Sequence, residues 1–118
     1  MRVVIDLDGT ICELKRSNQS YAEVKLLPGA VKQLRALKAA GHIVIIQTAR
    51  YMRTSQGNQG KLMAEVGKIT LDWLSRHHVP YDEIYFGKPY GDVYIDDLAY
   101  HFITWKEFQL PLEKNREQ

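Results

Sequence analysis

Four short apolar runs occur along the chain, and each is followed at once by polar or turn-forming residues. This pattern is typical of buried strands, which are shorter than helices and rich in β-branched and aromatic side chains. The predicted strands are residues 3–5, 43–46, 83–86 and 93–95.

Apolar residues between these strands recur at the spacing of a helix. One predicted helix begins after Pro28-Gly29, has its apolar face at residues 31, 34 and 37, and ends at Gly41. A second, longer helix has its apolar face at residues 62, 66, 69 and 73. Because strands and helices alternate, we predict an α/β fold with a mostly parallel sheet flanked by helices.

The remaining segments are predicted to be loops. Residues 11–27 have a polar centre and suit a loop or small hairpin flap, and the polar, glycine-bearing residues 51–60 suit a second loop. Residues 102–110 are predicted to pack as a last turn or short helix, before a charged, frayed tail at about 112–118. With 118 residues, the chain is predicted to form one domain over 1–118.

Composition narrows the choice of partners. A formal charge of +2, with no run of five basic residues, does not favour a nucleic-acid or anionic-membrane partner. A single cysteine excludes an internal disulfide and suits a reducing compartment. The N-terminal apolar stretch is too short for a signal peptide, and no apolar run approaches about 20 residues. We therefore expect a cytoplasmic protein with no membrane segment.

Polar side chains follow every predicted strand at its carboxyl end. In open parallel sheets, ligands bind beyond these ends, so side chains far apart in sequence are expected to meet at one edge. The residues in question are Asp6, Asp8, Thr48, Arg50, Lys88, Asp96 and Asp97.

The four carboxylates in this set predict a divalent metal ion. Carboxylates a few ångströms apart repel one another, and a hard cation removes that repulsion. Mg²⁺ prefers oxygen ligands and leaves positions for water and a substrate phosphate. Cys12 is the only soft ligand in the chain, and no histidine pair has zinc-site spacing.

Phosphoryl transfer is the chemistry that these residue types favour. Asp6 can attack phosphorus as a covalent nucleophile, and Asp8 can act as general acid and then general base. Lys88 and the metal would neutralise charge on the phosphoryl oxygens, while Thr48 would donate a hydrogen bond. Gly9 would let the chain turn closely around the phosphate.

The stretch Asp6-Leu7-Asp8-Gly9-Thr10 resembles the first motif of the haloacid dehalogenase-like (HAD) superfamily of phosphohydrolases. Thr48, Lys88 and the pair Asp96-Asp97 are similar to the second, third and fourth motifs, in the expected order. This resemblance implies a Rossmann-like core and a Mg²⁺ ion held by Asp6, Asp8 (through its backbone carbonyl), Asp96 and Asp97. Asp97 would bind through water or orient Lys88. An aspartate at position 8 favours a phosphatase over a dehalogenase.

A narrower resemblance is to the short capless phosphatases of bacterial capsule-polysaccharide biosynthesis. It is based on residues 48–54, 57–61, 79–84, 87–89 and 94–97. It implies that no cap domain is present and that the site is open, or is closed by the flap or by a partner subunit. This prediction therefore allows both a monomer and a homo-oligomer.

Several residues beside the motifs are predicted to contact the substrate: Gly9, Thr10, Ala49, Arg50, Arg53 and Lys61. The arginines and the lysine could bind a second anionic group. The alternative is a solvated loop, and for Arg53 and Lys61 both interpretations stay open.

The leading hypothesis is a Mg²⁺-dependent phosphatase acting on a small phosphomonoester, such as a sugar phosphate or a phosphorylated polysaccharide precursor. One alternative is a catalytically silent phosphate-binding regulatory protein. Another is a nucleic-acid-end phosphatase, which the small net charge does not favour.

Overall fold

A four-stranded parallel sheet forms the centre of the protein. The structure is a computed structural model that describes residues 1–50, 56 and 58–109. In these residues the strand order is β3-β2-β1-β4. The strands are β1 (Arg2–Asp6), β2 (Ile43–Gln47), β3 (Glu83–Tyr85) and β4 (Val93–Ile95). The α/β fold and its parallel sheet are thus confirmed.

The register of the sheet brings the ends of its central strands to one level. β1 pairs with β2 from Arg2–Ile43 to Asp6–Gln47, and it pairs with β4 as far as Ile5–Ile95. All of these pairings are parallel, so the carboxyl ends of the strands point the same way. The residues that follow β1 and β4 therefore emerge side by side.

The first helix, α1 (Ala30–Ala39), has the predicted limits. Gly29, with φ of 85°, precedes it, and Gly41 follows it with φ of 89°. The N–H of His42 donates to the carbonyl of Leu37 across this end of the helix. Positive φ is a conformation that glycine adopts without steric cost, so both glycines define where the helix can begin and end.

The second helical segment begins earlier than predicted. It consists of α2 (Gln59–Leu62), a π-helical turn (Met63–Gly67) and α3 (Lys68–Arg76). Asn58 caps it, because its Oδ1 accepts the N–H of Lys61 at 3.0 Å. The predicted loop over 51–60 is therefore too long at its C-terminal end. Residues 51–55 and 57 lie outside the described residues.

The main core lies between one face of the sheet and the helices. Alternate residues of β1 and β2 pack there against side chains of α1 and α3; the central members are Val3, Ile5, Val44, Ile46, Leu34, Trp73 and Leu74. Side chains of both helices belong to this one core cluster, so α1 and α3 lie on the same face of the sheet, as the rule of right-handed crossovers predicts for β1 to β2 and β2 to β3. The link from β3 to β4, residues 86–92, contains no helix.

Residues 11–27 leave the sheet and return to it as a narrow flap. Cys12 and Leu26 form an antiparallel bridge, and the N–H of Glu13 donates to the carbonyl of Lys25 at 2.9 Å. The flap is tied to α3, because Nε1 of Trp73 donates to the carbonyl of Val24 at 2.9 Å. The flap is therefore attached both at its base and near its C-terminal end.

The segment after β4 is largely exposed. Residues 105–107 form a turn, and no helix is present in residues 97–109. The rings of Phe102 and Phe108 contact Trp105 edge-on, although Trp105 itself is 77% exposed. The predicted charged tail lies outside the described residues. No described helix has the length and apolar character needed to cross a membrane.

Replacing Trp73 by Phe should destabilise the protein. The substitution removes buried ring volume and leaves the carbonyl of Val24 without its donor, so we expect a loss of about 2 kcal/mol in the free energy of unfolding. Urea denaturation followed by circular dichroism would measure it. Trp105→Phe is the matched control, with an expected change within about 0.5 kcal/mol because Trp105 is exposed. Equal losses in the two variants would contradict this account of the core.

Candidate active site

Three carboxylates meet where β1 and β4 end. Asp6, Asp96 and Asp97 each offer an oxygen, and these oxygens lie within 4.8 Å of one another. Asp6 is partly buried, whereas Asp96 and Asp97 are exposed. One oxygen of Asp96 also accepts the N–H of Leu98 at 2.7 Å. The structure thus brings together the two acidic motifs from opposite ends of the sequence.

The turn after Asp8 depends on a glycine. Gly9 has φ of 89°, and a Cβ at this position would collide with the carboxylate of Asp97. Any other residue would meet both an unfavourable backbone conformation and a steric conflict. Gly9 therefore permits the close approach of the first and fourth motifs.

The environment of Asp6 raises its pKa to about 7. Burial is the largest cause, and the negative charges of Asp96, Asp8 and Asp97 follow. A proton or a cation is therefore needed to relieve the repulsion at neutral pH. The donors are all hard oxygen atoms, which fits the predicted Mg²⁺ ion; Asp6, Asp96 and Asp97 would hold it.

An open cavity of about 770 Å³ lies beside this cluster. Asp6, Asp96 and Lys88 line it, together with Gln47 and aromatic side chains from β4 and the segment after it. Nζ of Lys88 lies 4.9 Å from the centre of the ring of Tyr94, whose hydroxyl donates to the carbonyl of Pro89. The predicted nucleophile, metal ligand and lysine therefore face one space.

Asp8 has different neighbours from Asp6. The hydroxyl of Thr48 donates to Oδ2 of Asp8 at 2.7 Å, and Nε of Arg50 donates to Oδ1 at 2.8 Å. The side chain of Arg50 is only 1% exposed, whereas that of Asp8 is 21% exposed. The positions of Thr48 and Arg50 thus differ from the expected phosphate and second-anion contacts, because both side chains point to Asp8.

The other residues predicted to bind substrate are placed as follows. Thr10 is partly buried, and its Oγ1 has no hydrogen-bond partner among the described residues. Ala49 is exposed. Lys61 is exposed at the end of α2 and is not among the described residues that line the cavity. Arg53 lies outside the described residues.

Two side chains near the site were not predicted from sequence. Gln47 pairs with Asp6 in the sheet and lines the same cavity, and its buried Oε1 has no partner within the described part of the chain. The sequence could have indicated Gln47, because it is the last residue of β2 just as Asp6 is the last residue of β1, and neighbouring parallel strands end at the same edge of the sheet. Tyr21 lies in the flap, with its ring 4.1 Å from the guanidinium of Arg50. No local sequence signal marks that contact.

Cys12 is a buried thiol beside Asp8. Burial, and then the charge of Asp8, raise its pKa to about 12, so it is protonated at neutral pH. This environment fits the expectation that Cys12 is a small buried apolar residue rather than a reactive thiol.

Comparison with known proteins finds a relative among the solved structures. No protein-family model and no curated protein matches the chain. The crystal structure of a structural-genomics target from Vibrio cholerae has 41% sequence identity and a TM-score of 0.67, covering 82% of this chain and 80% of that chain. The chain belongs to the same family as this protein.

A more distant structure is D,D-heptose 1.7-bisphosphate phosphatase from B. bronchiseptica, complexed with magnesium and phosphate. Its sequence identity is 20% and its TM-score 0.49, over 72% of this chain and 49% of that chain. This chain thus spans about half of that protein.

Added Mg²⁺ should raise the melting temperature more at about pH 8 than at about pH 5.5. The folded state holds a proton on Asp6 up to about pH 7, whereas an unfolded aspartate loses it near 3.8. The proton on Asp6 therefore stabilises the folded state in acid, and this stabilisation is lost as the pH rises through about 7. Above that pH, Mg²⁺ no longer competes with a proton for the carboxylate of Asp6, so its binding stabilises the folded state more. Thermal melts with and without Mg²⁺ would measure the difference.

Asp6→Asn should abolish this dependence on pH, whereas Asp72→Asn should keep it. Asp72 is an exposed carboxylate of α3 that pairs with Lys68 and is not part of the cluster of Asp6, Asp96 and Asp97. A Mg²⁺-induced shift that is the same at both pH values would contradict a metal site at Asp6.

Proposed function

We propose that this protein is a Mg²⁺-dependent phosphatase of the HAD superfamily that hydrolyses a small phosphomonoester. The observation that carries this proposal is the cluster of Asp6, Asp96 and Asp97, with carboxylate oxygens within 4.8 Å of one another. These aspartates come from two sequence motifs, one at the end of β1 and one directly after β4. Lys88 borders the same cavity, as a phosphoryl-transfer site requires.

Asp6 is the proposed nucleophile. One of its oxygens attacks phosphorus as the bond from phosphorus to the leaving oxygen breaks, which gives an aspartyl-phosphate. The ammonium group of Lys88 faces the same cavity and would attract the phosphoryl oxygens. A bound Mg²⁺ ion would supply further charge neutralisation and keep Asp6 ionised.

Asp8 is the proposed general acid and base. As a carboxylic acid it gives its proton to the leaving oxygen, and as a carboxylate it takes a proton from the water that then attacks phosphorus. The second step breaks the bond to Asp6 and releases inorganic phosphate. Asp8 keeps 21% of its side chain exposed, so it is open to a substrate.

The proposed substrate class is a sugar phosphate or a phosphorylated polysaccharide precursor. The open cavity of about 770 Å³ beside Asp6 and Lys88 is large enough for the phosphoryl group of such a molecule, and its openness leaves the sugar free to extend toward Asp8. The narrower assignment to capsule-polysaccharide biosynthesis stays a prediction from the sequence resemblance.

Replacing Asp6 by Asn should abolish phosphate release. The variant lacks the nucleophile, so we expect kcat to fall by about a thousandfold or more. Phosphate release from an aryl phosphate and from a panel of sugar phosphates, polyol phosphates and nucleotides would be measured with Mg²⁺. A chelator should remove the activity of the unchanged protein, and added Mg²⁺ should restore it.

Asp72→Asn is again the matched control and should keep full activity, because Asp72 lies on the exposed side of α3. A folded wild-type protein that releases no phosphate from any member of the panel would overturn the proposed function. Full activity in Asp6→Asn would overturn the assignment of the nucleophile.

A further inference from the structure

Arg50 is a buried cation that forms an ion pair with Asp8. The residue is 3% exposed, and its Nε donates to Oδ1 of Asp8 at 2.8 Å. A buried charge costs several kcal/mol unless it is paired and hydrogen-bonded. Since Asp8 provides that pairing, the fold has placed Arg50 toward the proposed acid and base rather than toward solvent.

The guanidinium is fixed by three further contacts. Nη1 donates to the hydroxyl of Thr70 at 3.2 Å, and Nη2 lies 3.7 Å from the sulfur of Cys12. The ring of Tyr21 lies 4.1 Å from the guanidinium carbon. Thr70 is itself held, because its hydroxyl donates to the carbonyl of Val66 at 2.9 Å. Arg50 is therefore anchored to the helical layer and the flap at once.

Asp8 is held at both of its oxygens. Thr48 donates to one and Arg50 to the other, so rotation of the carboxyl group is restricted. Each carboxylate oxygen has two acceptor positions, and Oδ1 also accepts from the thiol of Cys12 at 3.9 Å, so Oδ2 keeps a position for a proton or a substrate atom. The two donors thus orient Asp8 without using up its capacity for proton transfer.

The held carboxylate borders a second cavity. This cavity, of about 360 Å³, lies against the flap and is lined by Asp8, Leu14, Lys15, Ser17 and Tyr21. Asp6 borders the larger cavity instead. A phosphate attacked by Asp6 would therefore have its leaving group on the side of Asp8 and the flap.

We propose that Arg50 is a positioning residue, which holds Asp8 toward the flap cavity so that its proton reaches the leaving oxygen. The inference rests on the proposed function. In the step concerned, the bond from phosphorus to the leaving oxygen breaks, its electron pair stays on that oxygen, and the proton of Asp8 is transferred to it. The chain's own residues supply the nucleophile and the proton.

The nature of the leaving group makes this role measurable. A nitrophenolate is stable as an anion and gains little from protonation, whereas a sugar or polyol alkoxide depends on it. Loss of correct positioning should therefore reduce kcat/KM for alkyl phosphates far more than for nitrophenyl phosphate. A purely structural role of Arg50 would reduce both alike.

The test compares Arg50→Met and Arg50→Lys with the unchanged protein on nitrophenyl phosphate and on an alkyl phosphate that it hydrolyses. For Arg50→Met, we expect the ratio of alkyl to aryl kcat/KM to fall by about a hundredfold, and Asp8→Asn should lower it in the same direction. Arg50→Lys, which keeps the charge but not the fork of donors, should give a smaller fall. Arg35→Met, at an exposed position of α1, is the control and should leave the ratio unchanged.

Thr70→Val provides a second route if Arg50→Met does not fold, since it removes one anchor of the guanidinium and keeps the pair with Asp8. A smaller fall in the same ratio is expected. An unchanged ratio in the folded Arg50 and Thr70 variants would overturn the inference. So would a rise in KM confined to substrates with a second anionic group, because Arg50 would then contact the substrate directly. Absence of all phosphatase activity in the unchanged protein would instead overturn the proposed function itself.

Discussion

Repulsion among the carboxylates of Asp6, Asp96 and Asp97 is the constraint on which the site depends. Their oxygens lie within 4.8 Å of one another, and burial adds to the effect by raising the pKa of Asp6 to about 7. Such a cluster is unfavourable by itself, so other parts of the fold must hold it together. The buried residues of β1 do so, because they fix the strand from which Asp6 projects between β2 and β4.

Asp6 and Asp8 are two residues apart, yet their surroundings are opposite in charge. Asp6 faces other carboxylates and the larger cavity, whereas Asp8 faces the guanidinium of Arg50 and the hydroxyl of Thr48. A metal ion would balance the first environment, and the protein itself balances the second. This division suits two carboxylates with different tasks in one reaction.

The two faces of the sheet have different roles for a topological reason. α1 and α3 pack on one face, where the main core forms, as the right-handed crossover rule predicts for parallel strands in this order. The link from β3 to β4 has no helix. The cavity beside Asp6 and Gln47 is lined by Val4 and Tyr94, which alternate along their strands with the residues of the core face. The flap, tied to α3 through Trp73, brings Tyr21 and Cys12 to the neighbourhood of Asp8.

The sequence by itself determined the strands, the parallel sheet and the meeting of the two acidic motifs. These follow from local patterns, since buried β-branched runs form strands and parallel strands share one carboxyl edge. Only the tertiary structure decided the direction of Thr48 and Arg50. A side chain after a strand can turn toward several neighbours, and here the choice depends on Asp8, Tyr21 and Thr70 from three other segments. The early start of α2 and its π-helical turn likewise depend on packing that no local spacing specifies.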